Sequence, residues 1–250
     1  LSVRQDKSKE VGLTLRAQAA SPVAMMAFAL SLTFSAFDWV MALDPSWFST
    51  IFGVYVFSTA AVASLAVIIL ITMSLRDAGY LKGVVNVEHF HDLGKLMFGF
   101  NVFWAYIAFS QFLLIWYAGL PEETTYYHYR WDASAEPGAG AGPWAGVSLL
   151  LLLFHFVVPF FLLLSRNVKR KLPSLKLGAG WLLVMHAVDW YWFVMPNFKH
   201  YAFEFHWLDI ACPMAVGGIY FAYVFFRMTK HALIPVGDPR IQRAIHFHNA

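Results

Sequence analysis

Apolar residues along this chain do not alternate with polar ones; they run together in long blocks. A bilayer-crossing helix needs about 20 mostly apolar residues. Six stretches meet that length, approximately Pro22–Leu43, Ser49–Leu75, Leu96–Leu120, Trp144–Ser165, Leu177–Met195 and Trp207–Met228. The pattern predicts an all-α integral membrane protein of about six transmembrane helices over residues 22–229. A basic segment, 1–21, precedes them and a tail, 230–250, follows. Pro22 suits the first turn of a helix, where its missing N–H costs nothing. Asp44–Pro45 and Met195–Pro196 read as stops. The short link after Leu43 makes the first two helices antiparallel neighbours.

Composition supports the same class. Hydrophobic residues are 59% of the 250 and charged residues 13%, against about 45–50% and about 25% in soluble domains. This argues against a soluble enzyme, a disordered chain or a secreted disulfide scaffold. The lone Cys212 excludes an internal disulfide, a cysteine-clustered zinc site and a cysteine-held iron–sulfur cluster within the chain. No Cys-x-x-Cys-His stretch occurs, so no c-type haem is attached.

The formal charge of +3 matters less than its distribution. Sixteen of the 18 Lys and Arg residues fall before the first helix, in the second and fourth connections, or at the C-terminal end, from Arg227 in the last turn of the sixth helix onward. Only Arg130 and Lys199 fall on the other side. The positive-inside bias then predicts that both termini are cytoplasmic. Tryptophan has the opposite bias: Trp39, Trp47, Trp116, Trp131, Trp144, Trp190, Trp192 and Trp207 lie towards the outer face. They form either an interfacial belt or a face that docks another protein. The Gly-rich run Glu136–Pro143 in the outer loop follows no strand and lacks a phosphate-binding lysine, so it reads as a linker.

Ionisable residues at bilayer depth are costly, about 2.5–3.5 kcal/mol each on insertion scales. Asp38, His155, His186 and Asp189 occupy such depths, and Asp209 opens the sixth helix just after Glu204 and His206. Asp44 and Gln111 add polar groups towards the outer side. The i, i+3 spacing puts His186 and Asp189 on one helix face. Pro159 and Pro213 stand four residues after His155 and Asp209, so each should free a backbone carbonyl beside an ionisable side chain. Together these residues describe a funnel opening outward and suited to passing protons. Alternatives stay open: interhelix hydrogen bonds that only fix packing, or haem ligation by His155 and His186. The Glu88-His89-Phe90-His91-Asp92 segment resembles a metal cluster but lacks a second ligand set, and reads better as a solvated lead-in to a helix; no metal site is assigned. A secondary transporter would need an inverted repeat, and none is evident.

Longer stretches carry a resemblance. Phe37-Asp-Trp-Val-Met-Ala-Leu-Asp-Pro-Ser-Trp-Phe-Ser-Thr-Ile-Phe-Gly-Val-Tyr55, Asp92–Phe98, Phe103–Phe112 through Pro121-Glu-Glu123, and His155-Phe-Val-Val-Pro-Phe160 with Ser165-Arg166 belong to it. So do His186-Ala-Val-Asp-Trp-Tyr-Trp192 with Met195-Pro196, and Pro235-Val-Gly-Asp-Pro-Arg240. Together they resemble the NrfD-like, polysulfide-reductase-like membrane subunits of alternative complex III, in particular the ActF type. That complex is a bacterial quinol:cytochrome c, or quinol:electron-acceptor, oxidoreductase of the inner membrane. The resemblance implies a haem-free helical bundle that assists proton movement towards the periplasm. Quinone or quinol is the ligand it would bring; haem and iron–sulfur clusters would belong to partner subunits. Those partners would be a homologous NrfD-like membrane subunit, a periplasmic iron–sulfur protein and c-type cytochromes, with a soluble electron acceptor reached through them. No nucleic acid is implied. Family subunits have about ten helices, so N-terminal helices are expected to be missing from this sequence. Asp38, Asp44, Gln111, His155, His186, Asp189 and Asp209 lie in matching stretches, and no catalytic residue is assigned.

Overall fold

The computed structural model describes residues 1–134, 140–199 and 202–247. Its helices are α1 (Ser2–Ser8), α2 (Val11–Trp39), α3 (Phe52–Asp77), α4 (Val87–Ala118), α5 (Pro121–Trp131), α6 (Pro143–Leu150), α7 (Val158–Leu164), α8 (Arg166–Arg170), α9 (Leu172–Val194), α10 (Leu208–Lys230) and α11 (Ile241–Ile245). A π-helical stretch, Leu151–Val157, joins α6 to α7. Among the described residues there is no strand, only an isolated bridge between Asp132 and Ala141.

Five helical segments among the described residues are long and apolar enough to cross a membrane: Val11–Leu43, Phe52–Asp77, Val87–Ala118, Pro143–Leu164 and Leu208–Lys230. This is the mark of a multi-pass membrane protein. The sixth expected span corresponds to α9, which has 23 residues but is not among the five. Its length suffices at about 1.5 Å per residue. His186, Asp189 and Lys176 dilute its hydropathy.

Helix ends differ from the sequence expectation in two places. After Gly12, residues Leu13–Ala20 are mostly good helix formers, so α2 begins well before Pro22, which lies inside the helix. The Glu88–Asp92 segment is not a solvated lead-in. It forms the first turns of α4, because Asn86 accepts from the Glu88 and His89 amides while the His89 side chain returns a bond to the Asn86 amide. Glu88 is held by the Arg170 guanidinium of α8, and His91 is buried.

The chain divides into two compact units. The first comprises Leu1–Phe28 and Glu204–Phe247. Within it, the Gly237 amide donates to Asp6 at 2.9 Å, and Gln5 bonds Thr14 at 2.5 Å. Helix α10 has no buried residue; Val216, Ile219 and Tyr220 are exposed.

The second unit, Ala29–Phe203, holds the core. Helix α3 packs along both α4 and α9. Val62, Ala66, Ile69, Met97, Ala179 and Leu182 are fully enclosed. Small residues at such crossings let backbones approach closely, which is how apolar helices associate where lipid offers no hydrophobic driving force. Gly53, at the start of α3, faces a side chain of α2: a Cβ there would lie 2.7 Å from Thr33 Cγ2. Gly53→Ala is therefore expected to cost about 1–3 kcal/mol by overpacking. A thermal-unfolding midpoint in detergent equal to that of the wild type would contradict it.

The tryptophans do not form one belt. Trp39, Trp116, Trp131 and Trp207 are exposed, whereas Trp47, Trp144 and Trp192 are buried in the second unit. Of the Gly-rich run, residues 136–139 lie outside the described residues. The amide of Gly142 donates to Trp131 O at 2.6 Å, and a Cβ on Gly142 would meet Asp132 O at 2.3 Å, so this end of the loop is closed on itself rather than extended.

Candidate functional site

Buried polar side chains of the second unit gather where α3, α4, α9 and the π-helical stretch meet. Asp189 of α9 is fully buried. Its Oδ2 accepts the indole N–H of Trp104 from α4 at 2.9 Å, while Oδ1 has no hydrogen-bond partner among the described residues. One turn earlier, His186 has both ring nitrogens engaged. Trp190 Nε1 donates to His186 Nε2 at 3.0 Å, and Thr59 Oγ1 of α3 lies 2.9 Å from His186 Nδ1. Because Nε2 accepts, a neutral ring carries its proton on Nδ1 and donates it to the Thr59 oxygen. The Thr59 hydroxyl also lies close to the Asp189 carboxyl. Thus His186 and Asp189 do share a face, as their spacing predicts, and a threonine from another helix bridges them.

His155 completes the cluster from the π-helical stretch. Its ring stacks on Trp104, with centroids 3.9 Å apart and planes 24° from parallel. It is fully buried, and neither ring nitrogen has a partner among the described residues. Trp104 therefore touches His155 with its face and Asp189 with its N–H. The expected disturbance at Pro159 is present in a specific form. Pro159 falls in the first turn of α7, where a missing N–H is tolerated. The turn before it widens, so that the Val158 amide donates to Leu153 O, five residues back. Such π-turns often accompany functional side chains.

Along α4 the polar groups continue. Asn101 and Gln111 are buried, and all four of their amide atoms lack partners among the described residues. With Trp104 between them they mark a column spanning about 15 Å at 1.5 Å per residue. Buried amides without partners are costly in a way that an apolar core would avoid.

The remaining expected residues are not part of this cluster. Asp38 is exposed on α2. Asp44 Oδ1 accepts from the Ser46 amide and hydroxyl at 3.2 and 2.7 Å, and its Oδ2 is buried without a hydrogen bond among the described residues. Asp209, Glu204 and His206 belong to the first unit. There the His206 amide donates to Asp209 Oδ2 at 2.9 Å and His206 Nδ1 accepts from Leu208 N at 3.3 Å, a local arrangement at the start of α10.

Sequence reading missed Thr59, Trp104 and Arg130. Thr59 and Trp104 give no local signal, since one hydroxyl and one indole in apolar helices are common. Arg130 was visible as an outer-side cation but not as a buried one. It lies on α5, 1% exposed, with its guanidinium 3.5 Å from the Tyr126 ring centre and 4.9 Å from that of Trp192. Its terminal nitrogens donate to Tyr126 O and to Phe193 O, at the end of α9, each at 3.0 Å. Burial pushes the Arg130 pKa down, with the Tyr126 and Tyr127 phenols opposing; arginine starts high enough to stay cationic. Burial pushes the Tyr126 phenol up to about 12, against the pull of Arg130. Trp47 stacks on the same Tyr126 ring at 4.0 Å and donates to Glu123 O at 3.1 Å. This aromatic box clamps α5 to the end of α9.

Compared with known proteins, the chain matches no family model and no curated protein.

Proposed function

We propose that this chain is an integral membrane subunit of a quinol-oxidising electron-transport complex of the alternative complex III type, and that its buried cluster assists proton movement. The observation that carries the proposal is the cluster of buried Thr59, His155 and Asp189 around half-buried His186, set among apolar helices. A carboxyl group and two imidazoles can accept and release protons, and their burial in such a bundle is costly without a use. Asn101 and Gln111 extend the polar column along α4. The stretches Phe37–Tyr55 and His186–Trp192 that resemble the family contain or adjoin these residues. In this reading α9 is a sixth span. The one-sided distribution of Lys and Arg sets both termini in the bacterial cytoplasm. Electron-carrying partners, the iron–sulfur and c-type cytochrome subunits, bind on the opposite face, and protons leave towards them.

The test is the number of charges moved per electron in the reconstituted complex. His186→Leu and Asp189→Leu should each lower that ratio and slow proton-coupled turnover while the complex still assembles. A normal ratio at normal turnover would overturn the proposal. A second reading has its own observation: the same contacts tie α3, α4 and α9 together. In that reading the chain is a structural anchor for the electron-transfer subunits, and the same variants would fail to assemble.

A further inference from the structure

The α7–α9 side of the second unit carries a groove of about 210 Å³. Phe154, Val158 and Leu162 line one wall at four-residue spacing; Leu177, Gly178 and Trp181 line the other. The indole N–H of Trp181 donates to Phe154 O at 2.7 Å, so the wall has no donor left for a polar headgroup. Phe154, Val158, Leu177 and Trp181 are each at least 37% exposed, which opens the groove to whatever surrounds the apolar helices. Gly178 keeps it open: a Cβ there would sit in ordinary contact with Leu163 and Leu162, at 3.4 and 3.6 Å, while a longer side chain would occupy the groove.

Both walls run towards one basic turn, Arg166-Asn-Val-Lys-Arg170-Lys171. Two of its cations are already engaged. Arg170 holds Glu88, and Lys169 donates to Leu164 O and lies over the Phe98 ring. Arg166 and Lys171 are exposed and make no ion pair among the described residues. Arg166 is four residues beyond Leu162, across the extended Ser165 that ends α7, and Lys171 stands just before α9, six residues or about 9 Å ahead of Leu177. That distance separates a lipid phosphate from the upper methylenes of its acyl chain.

The geometry points to a binding site for an anionic glycerophospholipid, with one acyl chain in the groove and its phosphate between Arg166 and Lys171. Charge selects the occupant: cations near a membrane surface favour anionic over zwitterionic lipid, and the apolar wall lacks a partner for a quinone carbonyl. The site rests on the chain's being membrane-embedded and not on the proton route.

The full chain, extracted in mild detergent and exchanged into nanodiscs of equal phosphatidylglycerol and phosphatidylcholine, tests this by counting co-purified lipids by native mass spectrometry. The wild type should retain phosphatidylglycerol preferentially. Arg166→Ala and Lys171→Ala should each reduce that preference about fivefold, and the pair should bring it near parity. Gly178→Leu should lose the bound lipid. Equal retention of the two lipids by the wild type would overturn the site, as would an undiminished preference in the double variant. Phosphatidylglycerol retained by Gly178→Leu would remove the acyl chain from the groove. Both cations lie on the surface, so the double variant decides the matter even where Gly178→Leu folds poorly.

Discussion

Replacing Arg130 with alanine is expected to lower the stability of the second unit by about 2–5 kcal/mol, the range seen when a large buried side chain is truncated and leaves a cavity. The side chain is enclosed between Tyr126 and Trp192 and takes up Phe193 O at the end of α9. Its loss leaves a cavity between the rings and takes away one of the two donors to that carbonyl, Asn197 Nδ2 remaining at 2.8 Å, and both effects act in the same direction. Arg130→Lys should recover only part of the loss. Lysine keeps the charge but not the planar fork that reaches two carbonyls while lying flat on a ring. Thermal unfolding in detergent and protease cleavage within α5 read the effect. A melting point within a degree or two of the wild type would mean that α5 is held by Trp47 and Tyr126 alone.

The second large effect is expected at His155, and there stability and function should part. His155→Phe keeps the ring that stacks on Trp104 and removes two nitrogens that have no partner among the described residues. Leaving a buried polar group unpaired costs about 1–3 kcal/mol, so the variant should be as stable as the wild type or more so. Proton-coupled turnover should nevertheless fall by about tenfold or more, since positioned acid–base groups contribute about 10²–10⁴-fold. Unchanged turnover in a stable variant would mean that protons do not pass through His155. A loss of stability would instead give the imidazole a packing role that its contacts do not show.

Much of the fold was legible because membrane helices announce themselves through long apolar runs. The expected spans Ser49–Leu75, Trp144–Ser165 and Trp207–Met228 differ from the observed helices by only a few residues at each end. Two features escaped for different reasons. The early start of α4 depends on Asn86 and His89 exchanging bonds, a cap that lies outside the usual Ser or Thr followed by Glu pattern. Helix α5 carries its own signal in the sequence: Pro121 at its start, Glu122 and Glu123 in its first turn, and His128 and Arg130 in its last.

The candidate site was half legible. His186 and Asp189 could be paired by spacing alone, because helical periodicity fixes which side chains share a face. Their bridge, Thr59, comes from a helix more than a hundred residues away, and no periodicity predicts which hydroxyl a neighbouring helix will present. The buried tryptophans misled for a related reason. Position along a span gives the depth of Trp47, Trp144 and Trp192 but not their azimuth, so a core residue and a lipid-facing one look alike.

The widened turn at Leu151–Val157 makes the register of this span locally adjustable. In an uninterrupted α-helix, gaining or losing one residue rotates everything beyond it by about 100°, which would turn a whole buried face towards lipid. A turn that already carries an additional residue can absorb such a change by tightening or opening. The halves Pro143–Leu150 and Val158–Leu164 can then keep their own packing faces while the short coupling between them is re-aimed. His155 sits on that coupling, so single-residue insertions or deletions in this stretch can swing the imidazole towards or away from Trp104 without unseating the helix. That gives evolution, or a protein engineer, a mechanical handle on one side chain of the cluster.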